Sequence, residues 1–124
     1  MSGERLELDR LLDQAVAACN RGEHERAETL WREASQADPS CARVHAVQAF
    51  ISTATGRSGE AVAAYERAIA LDPNYVAALH NLAMLLTSLG RSADALAKLV
   101  RLVALAPEMV DAQRSRVLLL AETG

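Results

Sequence analysis

The stretch Ala61-Val62-Ala63-Ala64-Tyr65-Glu66-Arg67-Ala68-Ile69-Ala70-Leu71-Asp72-Pro73 decides how this chain is read. Two alanines seven residues apart flank one bulky aromatic, and Asp-Pro closes the run. Moving 34 residues toward the N-terminus gives Ala27, Trp31, Ala34 and Asp38-Pro39. Moving 34 residues the other way gives Ala95, Leu99, Leu102 and Pro107. The chain has three prolines, and all three keep this register. Glycines keep it too, at Gly22, Gly56 and Gly90, with Gly124 one period further on. Self-similarity of this kind marks stacked copies of one supersecondary unit.

Each recurring position has a physical task. A glycine ends a helix where the backbone must turn left-handed and a Cβ would be penalised. Proline ends one by forcing the residue before it out of helical geometry. Small alanines let two helices approach, and the bulky residue fills the space beside them. Ser58 and Ser92 are expected to accept from free N–H groups at helix starts, and Ser40 and Asn74 to cap the helices that follow them. Glu60 and Asp94 set negative charge in the first turn, where it complements the helix dipole. The pattern predicts helices over about 5–21, 24–37, 42–55, 58–71, 76–89, 92–105 and 109–122. Connections this short make sequential helices antiparallel.

Composition agrees. Hydrophobic residues make up 51% of the chain but aromatics only 3%, so Ala and Leu carry the core, which suits close helix packing better than a sheet. The net charge of −3, with no basic stripe, argues against nucleic acid as a partner. The N-terminus shows no signal-peptide core, and Val117 to Ala121 is too short to span a bilayer. A cytoplasmic protein with no membrane partner is expected. Cys19 and Cys41 form no CxxC pair, and free thiols are expected.

The sequence resembles tetratricopeptide repeats over nearly its whole length. The clearest copy spans 42–75, with others at 8–41 and 76–109 and a capping helix at 110–124, all in one domain, 1–124. The family's small residue on the first helix is kept as Ala15, Ala49 and Ala83 but becomes Val117 in the tail. Its common Trp is replaced by Leu11, His45 and Leu79. The resemblance implies an all-α, right-handed α-solenoid of antiparallel helix pairs, with the first helix of each repeat lining a concave groove. Carried over position by position, the groove residues are Leu12, Val16, Arg43, Val47, Phe50, His80, Asn81, Met84, Arg114 and Leu118, with Asp111 in the tail. Phe50, the only Phe, is the expected anchor for a partner. Repeats that grip a C-terminal carboxylate need cations at positions that here read Leu12, Val16, Val47, Ala77 and Asn81, of which only Asn81 fits.

The function this implies is a non-catalytic adaptor or scaffold holding a peptide or helix of another protein. A small secretion-type chaperone is the narrower alternative. Structural self-assembly, as a homodimer through the apolar C-terminal helix, is the other. No catalytic, cofactor or metal site is expected. His24, His45 and His80 are not at metal-ligand spacing, and no phosphate loop or nucleophile elbow is present.

Overall fold

The structure, a computed structural model, describes residues 2–108 and 110–123, with the side chains of residues 2, 110–112, 122 and 123 left aside. Met109, expected to close the third repeat, Asp111 and Gly124 therefore lie outside the described residues. What is described is helical, with no strand: α1 (Ser2–Asn20), α2 (His24–Ala37), α3 (Ala42–Ala54), α4 (Ser58–Leu71), α5 (Val76–Ser88), α6 (Ser92–Leu105) and α7 (Val110–Thr123). The bounds read from the 34-residue pattern hold to within three residues. Contacts divide the chain into two units, residues 1–71 and 72–124.

In the first unit α1 packs on α2, α3 on α4, and α3 also meets α1 and α2. In the second, α6 packs against both α5 and α7. The turn inside each full repeat is built the same way. Gly22, Gly56 and Gly90 sit at φ of 80°, 78° and 76°. The glycine N–H donates to the carbonyl three residues back, as from Gly56 to Thr53 at 3.2 Å, and the next N–H reaches five back, as from Arg57 to Ser52 at 2.8 Å. This paired arrangement satisfies carbonyls that the helix end leaves open. The alanines at 27, 61 and 95 are wholly buried, as are Ala34, Ala68 and Leu102. Tyr65 and Leu99 are buried beside them, and the half-buried Trp31 donates its indole N–H to the Val44 carbonyl at 2.7 Å.

The capping expectations are corrected. Cys41 and Tyr75, not Ser40 and Asn74, occupy the N-cap positions of α3 and α5, and neither supplies a side-chain cap. Arg91 holds that position for α6, again without a side-chain cap, and Ser92 is already inside the helix. The polar side chains that act here belong to the aspartates. Asp38 accepts from the Ser40 N–H and Asp72 from the Asn74 N–H, each at 3.2 Å. An aspartate before proline closes its own turn in this way and leaves the following Ser or Asn nothing to cap.

Each proline carbonyl also finds a side chain. His45 donates from Nε2 to Pro39 O at 3.0 Å, and the Gln113 amide donates to Pro107 O. These two residues stand 68 apart in the repeat register. Between them the register places apolar Leu79, and Arg101 of α6 takes over, bonding Pro73 O and the Asn74 side chain, both at 2.9 Å.

No atom lies within 4 Å of where a Cβ would sit on Gly56 or on Gly59. Substitution at either therefore reports backbone conformation alone. Gly56→Ala, forced left-handed, is expected to lower stability by about 1–2 kcal/mol, while Gly59→Ala, inside α4, raises it by about 0.4–1 kcal/mol. Urea unfolding followed by circular dichroism checks both signs.

Candidate functional site

In the first unit the expected groove residues come from α1 and α3. Arg43 reaches across from α3 to α1, bonding Asp9 Oδ1 at 3.3 Å and pairing with Asp13. Burial opposes the guanidinium charge, but the hydrogen bonds and attraction of Asp13 and then Asp9 prevail, and its pKa is raised above the ordinary value. One cation thus serves two carboxylates, and the pairing ties the first helices of successive repeats. Val16 and Phe50 are half-buried, packed against the core on one side. The structure brings these groups together on the α1 and α3 pair.

Leu12 and Val47, expected to line the same face, do not. Leu12 is 0% exposed and Val47 5%, and both belong to the core of Leu8, Ala15, Val44 and Ile51. The reason is geometric. α1 has two neighbours, α2 and α3, so the apolar stripe between them is wider than a helix with one neighbour needs. Both residues are removed from the partner-contacting set and support it from beneath.

In the second unit His80 is half-buried and Asn81 exposed on α5, with Met84 36% exposed one turn on. Thr87 and Ser88, polar positions near the end of α5, turn back to bond the Ala83 and Leu85 carbonyls at 2.8 and 2.7 Å. Arg114 and Leu118 are exposed on α7, whose packing partner is α6. Among the described residues no hydrogen bond or ion pair joins them to His80 or Asn81.

α7 also corrects the expected self-association residue. Leu119 is 4% exposed and is the side chain that docks α7, whereas Val117, Leu118 and Leu120 are 59, 60 and 47% exposed. Val117 occupies the register of buried Ala15, Ala49 and Ala83. In the full repeats a second helix covers that position, and none follows α7 in the described residues.

No group of three His, Cys, Asp or Glu able to hold a metal occurs among the described residues. His24 lies 4.0 Å from the Cys19 sulfur. Both cysteines are free, and burial pushes the Cys19 thiol pKa up. No described helix is long and apolar enough to cross a membrane.

Helix pairs repeating every 34 residues, joined by left-handed glycines and packed through buried alanines, define an all-α helical-repeat protein. Tetratricopeptide repeat patterns match residues 12–76 and, separately, 64–97. The chain belongs to the tetratricopeptide repeat family. Among curated proteins, none matches the sequence. Several solved structures are similar in fold. pilF of Pseudomonas aeruginosa aligns with a TM-score of 0.88 and 24% identity over 97% of this chain, which spans only 55% of that one. The first TPR of Spaghetti (RPAP3), bound to the HSP90 peptide SRMEEVD, aligns with a TM-score of 0.84 and 16% identity, over 94% of this chain and 95% of its own. The Sgt2 TPR domain of Aspergillus fumigatus gives a TM-score of 0.81 and 20% identity, over 94% and 78%.

Core and surface residues of the expected groove should separate in stability. Leu12→Ala is expected to cost about 2–5 kcal/mol, and Met84→Ala less than about 0.5 kcal/mol. Denaturant midpoints at constant slope measure the difference.

Proposed function

We propose that this chain is a non-catalytic protein-interaction module, an adaptor or scaffold that holds a peptide or helix of another protein against the first helices of its repeats. The observation that carries the reading is the α1 and α3 face. There Arg43 is fixed between Asp9 and Asp13, beside Val16 and Phe50, which are packed on one side and open on the other. A fixed polar rim around a half-open apolar pair is what an interface anchor requires. In the second unit His80, Asn81 and Met84 of α5 offer the corresponding contacts, and Arg114 and Leu118 extend the set onto α7.

That a chain of similar fold holds a peptide supports the class. The chemistry here differs from that peptide's acidic sequence. Residues 1–71 carry eleven Asp and Glu against eight Arg, so the whole net charge of −3 sits in the first unit. Two carboxylates share one guanidinium on its α1 and α3 face, which favours a neutral or basic partner segment. The secretion-chaperone form of this reading would draw on the same face.

The test is affinity capture from the source lysate on wild-type protein and on Phe50→Glu and Met84→Glu separately, with helicity checked by circular dichroism. A protein retained by the wild type and reduced at least tenfold by either folded variant supports the reading. The same proteins retained equally by all three would remove these faces from consideration.

Self-association has its own observation, the exposed Val117, Leu118 and Leu120 of α7. Sedimentation velocity should then show a dimer that Leu118→Glu converts to a folded monomer. Leu119→Glu instead undocks α7 and lowers helicity. A wild type monomeric at hundreds of micromolar excludes this second reading.

A further inference from the structure

We propose that a cleft bounded by α2, α3 and the start of α4 is a second binding site, built for an uncharged six-membered ring carrying a hydroxyl, a phenol. The cleft has a volume of about 130 Å³ and lies wholly within the first unit. It shares no residue with the α1 and α3 face, so it stands or falls independently of the interaction reading above.

The observation that points to a ligand is Ser52. It is 3% exposed, the only buried polar residue among those described, and it lines this cleft. Its hydroxyl has no hydrogen-bond partner among the described residues. Serines and threonines near helix ends elsewhere in the chain turn back onto a carbonyl of their own helix, as Thr53, Thr55, Thr87 and Ser88 do. Ser52 does not. Buried hydroxyls without partners are rare because the water they gave up is not replaced. The repeat register makes the residue stand out further. One period earlier is Ala18 and one period later Leu86, both buried and apolar. A polar group has been placed at a core position in this repeat alone, and it gains nothing from the fold.

The surroundings select the ligand. Trp31 and Ile51 give the cleft an apolar wall. The indole is held in place by its bond to the Val44 carbonyl, so the wall is preformed. Around the rim, Arg57 pairs with both Glu28 and Glu60, and the Gln48 carbonyl oxygen accepts from Arg67. With Arg32 the lining holds two cations and two carboxylates and is neutral. A carboxylate ligand would face Glu28 and Glu60, and an ammonium would face Arg32 and Arg57. An uncharged ring meets neither penalty. In size, an apolar cavity of about 150 Å³ takes benzene, so one six-membered ring is the scale that fits here and a bicyclic one is not. A ring hydroxyl then supplies the partner that Ser52 lacks.

The chain has one tryptophan, so its indole N–H is an unambiguous NMR reporter at the wall of this cleft. Titrating 15N-labelled protein with p-cresol should shift the Trp31 indole and Ser52 amide signals saturably, at millimolar concentration. Toluene and 4-methylbenzoate should bind more weakly. Ser52→Ala, which removes the hydroxyl and keeps the helix, should weaken p-cresol about three- to tenfold and leave toluene unchanged. N-acetyl-tyrosinamide identifies the source of the ring. Binding as tight as p-cresol means a tyrosine of a partner protein, and loss of binding on adding the backbone means a free phenolic compound. The absence of a saturable shift, or p-cresol binding that Ser52→Ala does not change, overturns the proposal and leaves water as the companion of the hydroxyl.

Discussion

Everything in this chain depends on reversing direction within three residues while keeping two helices close enough for alanine to touch. The left-handed glycine makes the reversal possible. The paired hydrogen bonds around Gly22, Gly56 and Gly90 reuse carbonyls that the first helix would otherwise leave open. The close approach then demands that Ala27, Ala61 and Ala95 have no more than a methyl group, and all three are wholly buried. Bulk is allowed only one turn further on, at Trp31, Tyr65 and Leu99. A larger side chain at the alanine position would push the pair apart and empty the space those residues fill.

The second constraint lies at the other connection. Proline ends the second helix of each repeat, and its carbonyl must be served from outside the helix. His45 and Gln113 do this from one register, and Arg101 from another where that register holds Leu79. The departure from the family's usual Trp at His45 is thus part of a working turn. Asp38 and Asp72 complete two of these turns by bonding two residues ahead. The third, at Ala106, has no such side chain.

The fold was legible because its rules are positional. Glycine, proline and alanine act through backbone geometry and size, and their spacing is visible without knowing any neighbour. The site was less legible because exposure is relational. Leu12 and Phe50 look alike as apolar residues at helical spacing, yet one lies at the seam of three helices and the other at its edge. Leu118 and Leu119 differ only in which side of α7 meets α6. The caps were misread for a related reason. Ser40 and Asn74 have the right chemistry, but an aspartate two residues earlier had already claimed their backbone N–H groups. Ser52 did carry a signal, a hydroxyl between Ala18 and Leu86 in register, and only burial turned that irregularity into a question about a ligand.

The two units also differ in what they show to solvent. The first holds the whole net negative charge and ties its exposed aspartates to Arg43, Arg57 serving the glutamates on α2 and α4 in the same manner. The second has balanced charge, five of each sign, and instead exposes Val100, Leu105, Val117, Leu118 and Leu120. Charge sets the rate and selectivity of encounter, while apolar area sets how firmly a contact is kept. One repeat scaffold therefore presents two unlike chemistries along a single chain. The residues that create the difference lie at positions the 34-residue rule leaves free, which is why a shared fold at 16 to 24% identity does not transfer a partner.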